Sequence, residues 1–219
     1  MQKFTLGIIC FLYFFRVSAQ EFVFENISTK DGLSQNDVSC IFQDKQGFMW
    51  FGTNDGLNRY DGYQFTIYRY NAEGQEGLNS NLIQTITEDD DQNIWIGTLD
   101  AGVNVIKYVN QEILNLTVSD NHGNLLEKEN IYAIDIIDDL ALVLTKEAVF
   151  FFELTEDGYQ PIKINDKYFI KTGSKLTNCY YRVSKNEFII GTKQGLKIFR
   201  ISRAEEFKVS VLSLEEETN

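Results

Sequence analysis

The stretch GFMWFGTNDGLNRYDG, residues 47–62, packs a tryptophan, a Gly-Thr pair, a Gly-Leu pair and a Tyr-Asp-Gly into a short run. Such a density of special residues marks either a binding site or a piece of construction. A second copy decides between them. Residues 92–108 read QNIWIGTLDAGVNVIKY, and Trp95, Gly97 and Thr98 follow Trp50, Gly52 and Thr53 at a spacing of 45. Upstream, Leu33, Asn36, Ile41 and Asp44 are matched at the same spacing by Leu78, Asn81, Ile86 and Asp89. A worn third copy, NIYAIDIIDDLALVLTKEAVFFF at 130–152, has Leu144-Thr145 where Gly-Thr stood, with Thr145 47 residues after Thr98. A fourth, LTNCYYRVSKNEFIIGTKQGLKIF at 176–199, restores Gly191-Thr192 and the following Gly195-Leu196, with Thr192 47 residues after Thr145. Self-similarity at this period is the signature of one supersecondary unit repeated along the chain.

Each unit has the same grammar. An alternating strand (38–42, 82–87, 131–137, 178–183) meets a polar turn (44–47, 89–93, 138–139, 184–186). A second strand carries the Trp-x-Gly-Thr signature. A short turn follows, then a third strand opening at Leu57, Val103, Val149 or Leu196. A looser fourth strand is readable at 64–69, 113–118 and 207–212, and is weakest in the third unit, around Pro161. Four short strands joined by tight turns, repeated every 45 to 47 residues, predict β-propeller blades. The signature residues Trp50, Gly52, Thr53, Gly56, Leu57, Trp95, Gly97, Thr98, Gly191, Thr192, Gly195 and Leu196 are then structural positions. A period of two sends Trp50 and Gly52 to one face and Phe51 and Thr53 to the other. The glycine leaves room for a bulky neighbour. The threonine hydroxyl can satisfy the next turn, which Asn54, Asp55 and Gly56 write in hairpin residues.

Composition agrees. Hydrophobic residues make up 43% of the 219, aromatic residues 14%, and there is one proline. Aromatic and β-branched residues suit a pleated, half-buried surface, so the fold class is all-β, with about four four-stranded units in an incomplete ring. The expected organisation is a signal peptide over 1–19 and a partial propeller over 20–219, with repeats at 32–70, 77–118, 130–163 and 176–212. Lys3, the apolar run 6–15 and the small residues Val17, Ser18 and Ala19 support the signal peptide. That run is too short to span a bilayer, which needs about 20 apolar residues. The mature chain is therefore expected in the periplasm, without membrane insertion. The formal charge of −12 becomes more negative once Lys3 and Arg16 are removed, which disfavours nucleic acid as a partner. Cys40 and Cys179 each lie 12 residues before the glycine of a Gly-Thr pair. They hold one position in two separate repeats, so two buried free thiols are expected rather than a disulfide.

The order aspartate turn, (L/M)W(I/F)GT, xxGL, then a tyrosine, resembles the two-component-regulator propeller repeat. EFVFENISTKDGLSQNDVSCIFQDKQGFMWFGTNDGLNRYDGYQFTIY, at 21–68, resembles the start of the mature sensor region of hybrid two-component proteins of Bacteroidota. The likeness covers nearly all of 21–200, strongest in the first two repeats. In that family two seven-bladed propellers and a β-sandwich precede a single transmembrane helix, a histidine kinase, a receiver and a DNA-binding domain. The implied role is sensing extracellular glycan fragments. The family pattern also makes residues 22–26 a strand that completes the outer edge of the last blade. Four units do not close seven blades, so the resemblance implies a truncated N-terminal segment. Its expected partners are an oligosaccharide and, through open blade edges, the missing blades or another copy.

Catalytic chemistry finds little footing. His122, the one histidine, stands in the loop Ser119-Asp120-Asn121-His122-Gly123, unlike a phospho-accepting helix histidine, and no Gly-x-Ser-x-Gly accompanies it. Phosphate loops and zinc-ligand spacings are absent from the sequence. EDDDQN at 88–93 resembles a calcium loop, but Ile94 stands where glycine is required and Asp100 where glutamate is, so a solvated hairpin turn is the better reading. No cofactor or metal is expected, and no residue can be assigned to a ligand. The sequence predicts a non-catalytic sensor segment; the alternatives are a fragment of a propeller-type polysaccharide lyase or glycosidase, or a non-functional truncated remnant.

Overall fold

The computed structural model describes residues 24–71, 77–120, 123–155, 158–164, 167, 169–172, 176–203 and 207–214. The expected signal peptide and His122 lie outside the described residues. A single 3-10 turn, Thr29–Asp31, opens the chain and is closed at both ends by its own residues. Ser28 and Asp31 form a reciprocal capping box, and Gly32 ends the turn at φ 106°. Among the described residues, everything regular after it is β.

Four antiparallel sheets follow in chain order. The first comprises β1 (Val38–Gln43), β2 (Met49–Thr53), β3 (Gly56–Tyr60) and β4 (Phe65–Tyr68). The second comprises β5 (Ile83–Glu88), β6 (Ile94–Thr98), β7 (Val103–Ile106) and β8 (Ile113–Asn115). A small hairpin, β9 (Ser119–Asp120) with β10 (Gly123–Asn124), leads to the third: β11 (Ile131–Ile137), β12 (Leu140–Thr145), β13 (Ala148–Thr155) and β14 (Gly158–Pro161). Here β15 (Phe169–Lys171) also pairs with β13, so two short strands share the outer edge and Pro161 sits at the end of one of them. The fourth sheet comprises β16 (Leu176–Ser184), β17 (Glu187–Thr192), β18 (Gly195–Arg203) and β19 (Phe207–Leu214). Each sheet is a meander, as propeller blades are, and the four do not close a ring. The expected strand at 22–26 is not formed over its described part: residues 24–26 are irregular and Phe24 is 92% exposed.

The blades stack face to face, with β1, β5, β11 and β16 side by side. Each of the three apolar cores lies between two blades. Trp50 and Leu57 pack on Ile83, Ile94, Ile96 and Ile106. Trp95, Val103 and Val105 pack on Ile131, Val143 and Phe150. Leu142, Leu144 and Phe151 pack on Phe188, Ile190 and Phe199. Blades two and three are therefore covered on both faces: β6 and β12 are buried at every position. The end blades are covered on one, and β1 alternates between half-buried and exposed. What the arc leaves open thus includes one face of each end blade, because blades meet through their faces. Ile41 is 61% exposed on the first, and Tyr181, Val183, Leu196 and Leu212 are exposed on the fourth.

Opposite every Gly-Thr position the first strand bulges. Pairing skips between Val38 and Cys40, Ile83 and Thr85, and Ile131 and Ala133, and over a longer interval between Leu176 and Tyr180. Recurrent bulges of this kind bend a strand and raise its twist. They also separate the two cysteines. Both thiols are free, but Cys40 is half-buried against the second blade whereas Cys179 is exposed. The expectation of two buried thiols fails at Cys179, which falls inside the wider bulge of an end blade.

Candidate functional site

The signature is a set of clasps. Trp50 donates its indole N–H to Asp44 Oδ2 at 2.7 Å, and Trp95 donates to Asp89 Oδ2 at 2.9 Å. Each aspartate also ties the turn between the first two strands. Asp44 Oδ1 accepts from the backbone N–H of Gln46 and Phe48, and Asp89 Oδ1 accepts from that of Asn93. Thr53, Thr98 and Thr192 donate their hydroxyls to the carbonyls of Gly56, Gly102 and Gly195, closing the next turn. Thr145 breaks the pattern: it is buried and its hydroxyl has no partner among the described residues, in a unit where Ala148 stands in place of the glycine. Gly52 and Gly97 are required by close approach. A Cβ on Gly52 would lie 2.7 Å from Ile83, and one on Gly97 would lie 2.6 Å from Ile131, each at the start of the next blade. Gly56 (φ 108°) supplies the turn's left-handed residue, and Leu57 is wholly buried. In the fourth unit Gly191 is buried and Gly195 takes φ 103°, while Leu196 is 45% exposed because no blade covers it.

The GL segment ahead of each of the first two blades is held in the same manner. Ser34 and Asn79 donate their backbone N–H groups to the side-chain oxygens of Asn58 and Asn104, which are both wholly buried in the third strand. Trp50, Trp95 and the three hydroxyl-donating threonines are thus tied into the turns of their own blades, and Gly52 and Gly97 admit the next blade.

An enclosed space lies in the cleft between blades one and two, on the side of the Asp44 and Asp89 turns. It holds about 60 Å³. Its floor is Trp50, Ile94 and Ile106, all buried, and its rim carries Gln46, Gln92, Gln111 and Tyr108. One wall is Arg59, whose guanidinium lies 4.8 Å above the Phe48 ring and 5.8 Å from that of Trp50. Such stacking holds a cation in place without using its N–H donors. Glu88 stands opposite; burial lifts its carboxyl above the ordinary range, opposed by the N–H of Lys45 at 2.9 Å. Gln92 and Gln111 both adopt left-handed backbone, at φ 66° and 60°. Sequence reasoning passed over Arg59, Gln92 and Gln111. The register could have found Arg59: it pairs directly across from Trp50, on the face that meets the next blade.

Two further polar pairs bridge the later blades. Tyr159 reaches Asp89 at 3.5 Å and stacks edge-on against Trp95, and Tyr180 donates to Asp135, which also pairs with Arg182 at 3.4 Å. Burial, reinforced by the neighbouring aspartates, holds both phenols well above the ordinary tyrosine range. Among the described residues no group of three or more His, Cys, Asp or Glu side chains is placed to hold a metal, and no helix is long and apolar enough to cross a membrane.

Comparison with known proteins places these repeats. The family model for the two component regulator propeller matches residues 32–55 and 77–100. A protein of Formosa agariphila named histidine kinase P4 is 56% identical over 52 residues, which is 24% of this chain and 4% of the relative. The extracellular domain assigned to a hybrid two component system of B. thetaiotaomicron superposes with a TM-score of 0.66 at 21% identity, covering 87% of this chain and 26% of that one. PorZ, a surface component of the type-IX secretion system of Porphyromonas gingivalis, superposes at 0.53 and 12% identity, over 86% of this chain and 24% of that one. This chain thus spans a small part of each, and at such identities the superpositions speak for the fold alone. The units at 32–55 and 77–100 are two-component regulator propeller repeats, and the chain that carries them is a run of β-propeller blades.

Proposed function

We propose that the chain is a non-catalytic, ligand-sensing propeller segment of an exported signal-transduction protein, working in the periplasm ahead of a histidine kinase, with oligosaccharides as the sensed class. The observation that carries this is the pair of regulator repeats at 32–55 and 77–100. The match to a protein named as a histidine kinase and the likeness of fold to an extracellular two-component domain support it. The two signature tryptophans support the same reading, since the indole N–H of each is taken up by an aspartate of its own blade. The acidic chain favours neither nucleic acid nor anionic lipid as a partner.

The test is a thermal-shift screen of the purified chain against a panel of oligosaccharides, with release of reducing or unsaturated ends assayed in parallel. A reproducible rise in Tm with one glycan class and no turnover is the expected result. Turnover of any glycan would overturn the non-catalytic reading, and a flat panel would overturn the choice of ligand class. The two open blade faces lead to a second expectation, that the isolated 219-residue chain self-associates through them. Concentration-dependent sedimentation, relieved by Ile41→Lys, is the expected outcome; a monomer across the micromolar range would sink it.

A further inference from the structure

We infer that the cleft between blades one and two is a binding site for a carboxylate-bearing sugar, with Arg59 as its anchor. Four observations converge on it. First, the Arg59 guanidinium is held by two aromatic rings and makes no hydrogen bond or ion pair with any described residue. A guanidinium fixed in this way presents its planar fork to an incoming group, and the fork matches a carboxylate with two parallel N–H···O bonds. Second, the negative groups nearest in the cleft are occupied. Asp44 already accepts from Gln46, Phe48 and Trp50, and Glu88 accepts from Lys45. Neither carboxylate has satisfied Arg59, although both line the same cleft.

Third, the rim chemistry suits a polyol. Gln46, Gln92 and Gln111 supply carboxamides, and Tyr108, 43% exposed, supplies a ring. Gln46 and Gln92 face each other, with Nε2 of the first 3.2 Å from Oε1 of the second. Two of the three non-glycine residues with positive φ among those described are Gln92 and Gln111. The equivalent of Gln92 in the first repeat is Gly47, the residue a left-handed turn prefers. Backbone strain of this kind gathers where a side chain is wanted in one place. Fourth, size fits in two parts. About 60 Å³ takes a carboxylate head, and Gln111 also borders an adjoining open groove of about 610 Å³ with Tyr68, Asn110 and Glu112, which has room for the ring that carries it.

The carboxylate assignment stands on the cleft; that its carrier is a sugar rests on the sensing reading above. The experiment separates them. The chain has two tryptophans, Trp50 on the cleft floor and Trp95 wholly buried in the next junction. In the 5-fluorotryptophan-labelled full chain they give two fluorine resonances, a probe and an internal control. Titration with sodium glucuronate is expected to shift the Trp50 resonance saturably and leave that of Trp95 in place, while glucose shifts neither. Arg59→Gln is expected to weaken the response about tenfold or more, as loss of a bidentate charged pair should. If that variant loses the resonance dispersion of a folded chain, Arg59→Lys carries the same test: it keeps charge and loses the fork, and weakened binding is again expected. An unmoved Trp50 resonance, an equal response to glucose, or a variant that titrates like the parent would overturn the cleft as a carboxylate site. Glutarate binding as well as glucuronate would retain the cleft but overturn the sugar as its ligand, and with it the support lent to glycan sensing.

Discussion

In blades one and two, the second residue of the second strand is a tryptophan whose indole N–H is held by an aspartate six residues earlier. By strand register the same two positions are Ile137 with Leu142 in blade three and Val183 with Ile189 in blade four. The clasp is lost as a unit, donor and acceptor together. The turn between the strands changes with it: five residues separate the paired Gln43 and Met49, and also Glu88 and Ile94, whereas two separate Ile137 from Leu140 and Ser184 from Glu187. A five-residue turn leaves backbone amides that need an acceptor, and the aspartate supplies it. A two-residue turn satisfies itself through the ladder. The glycine facing the next blade follows the same division. Ile83 and Ile131 approach over Gly52 and Gly97, but the third blade has Leu144 there, and its inner strand meets the fourth less extensively. One architecture is thus held by two chemistries, polar clasps with close backbones at the front and interlocked phenylalanines at the back, where Phe188 stacks on Phe199 and tilts against Phe151.

The comparison can be broken most sharply at Leu144. If a glycine alone made the front junctions close, Leu144→Gly would be tolerated. We expect instead a loss of about 3–5 kcal/mol, from the buried side chain removed and the cavity left, read by chemical denaturation. A neutral result would mean the two halves differ only in that residue. A smaller effect, about 2–4 kcal/mol, is expected for Asp89→Ala, which strips the acceptor from a buried indole and a buried Asn93. Asp44→Ala, at a half-buried site, should cost about 1–2 kcal/mol. Equal losses at both would show that burial does not set the strength of the clasp.

The later junctions carry the pH response. Tyr159 and Tyr180 are both held above the ordinary tyrosine range, chiefly by burial and then by Asp89 and Asp135. The folded chain keeps protons that the unfolded chain gives up from about pH 10. Stability from these groups is therefore complete below that pH and declines as pH rises towards the folded values. Burial raises Cys40 too, so its part of the decline starts from about pH 8.5. Tyr180→Phe should flatten the slope of denaturation midpoint against pH above 10; an unchanged slope would remove Tyr180 from the account. The smallest effect is expected at Gln92→Gly, which gives the second repeat the residue the first has at that turn. A gain of about 0.5 kcal/mol is expected from relief of the left-handed backbone; a loss would mean that the bond from Gln46 outweighs the strain.

Much of the fold was legible because it rests on local rules. The alternating strands, the Asp turns and the Gly-Thr hairpins each depend on residues within one unit, so the strand 131–137 could be read to its ends and the others nearly so. The doubled outer edge of blade three was not legible, because β15 joins β13 across a segment with no repeat signal. The cleft was missed for a related reason: Arg59, Glu88 and Gln111 belong to different strands and turns of two blades, and no spacing in the chain announces that they meet.

The sequence by itself determined that this protein is a series of β-blades, since period-two strands, turn residues and a 45-to-47-residue repeat are properties of the chain order. It also determined which residues hold each blade, because a tryptophan, a glycine and a threonine at fixed offsets have few other uses. Tertiary structure alone decided what each blade presents to its neighbour. Cys40 is covered and Cys179 bare, and Leu57 is buried and Leu196 open, though each pair holds one place in the repeat. The physical reason is that a blade's burial comes from the blade stacked on it, a contact between segments distant in sequence. The same stacking turned a stacked arginine and three glutamines into a cleft.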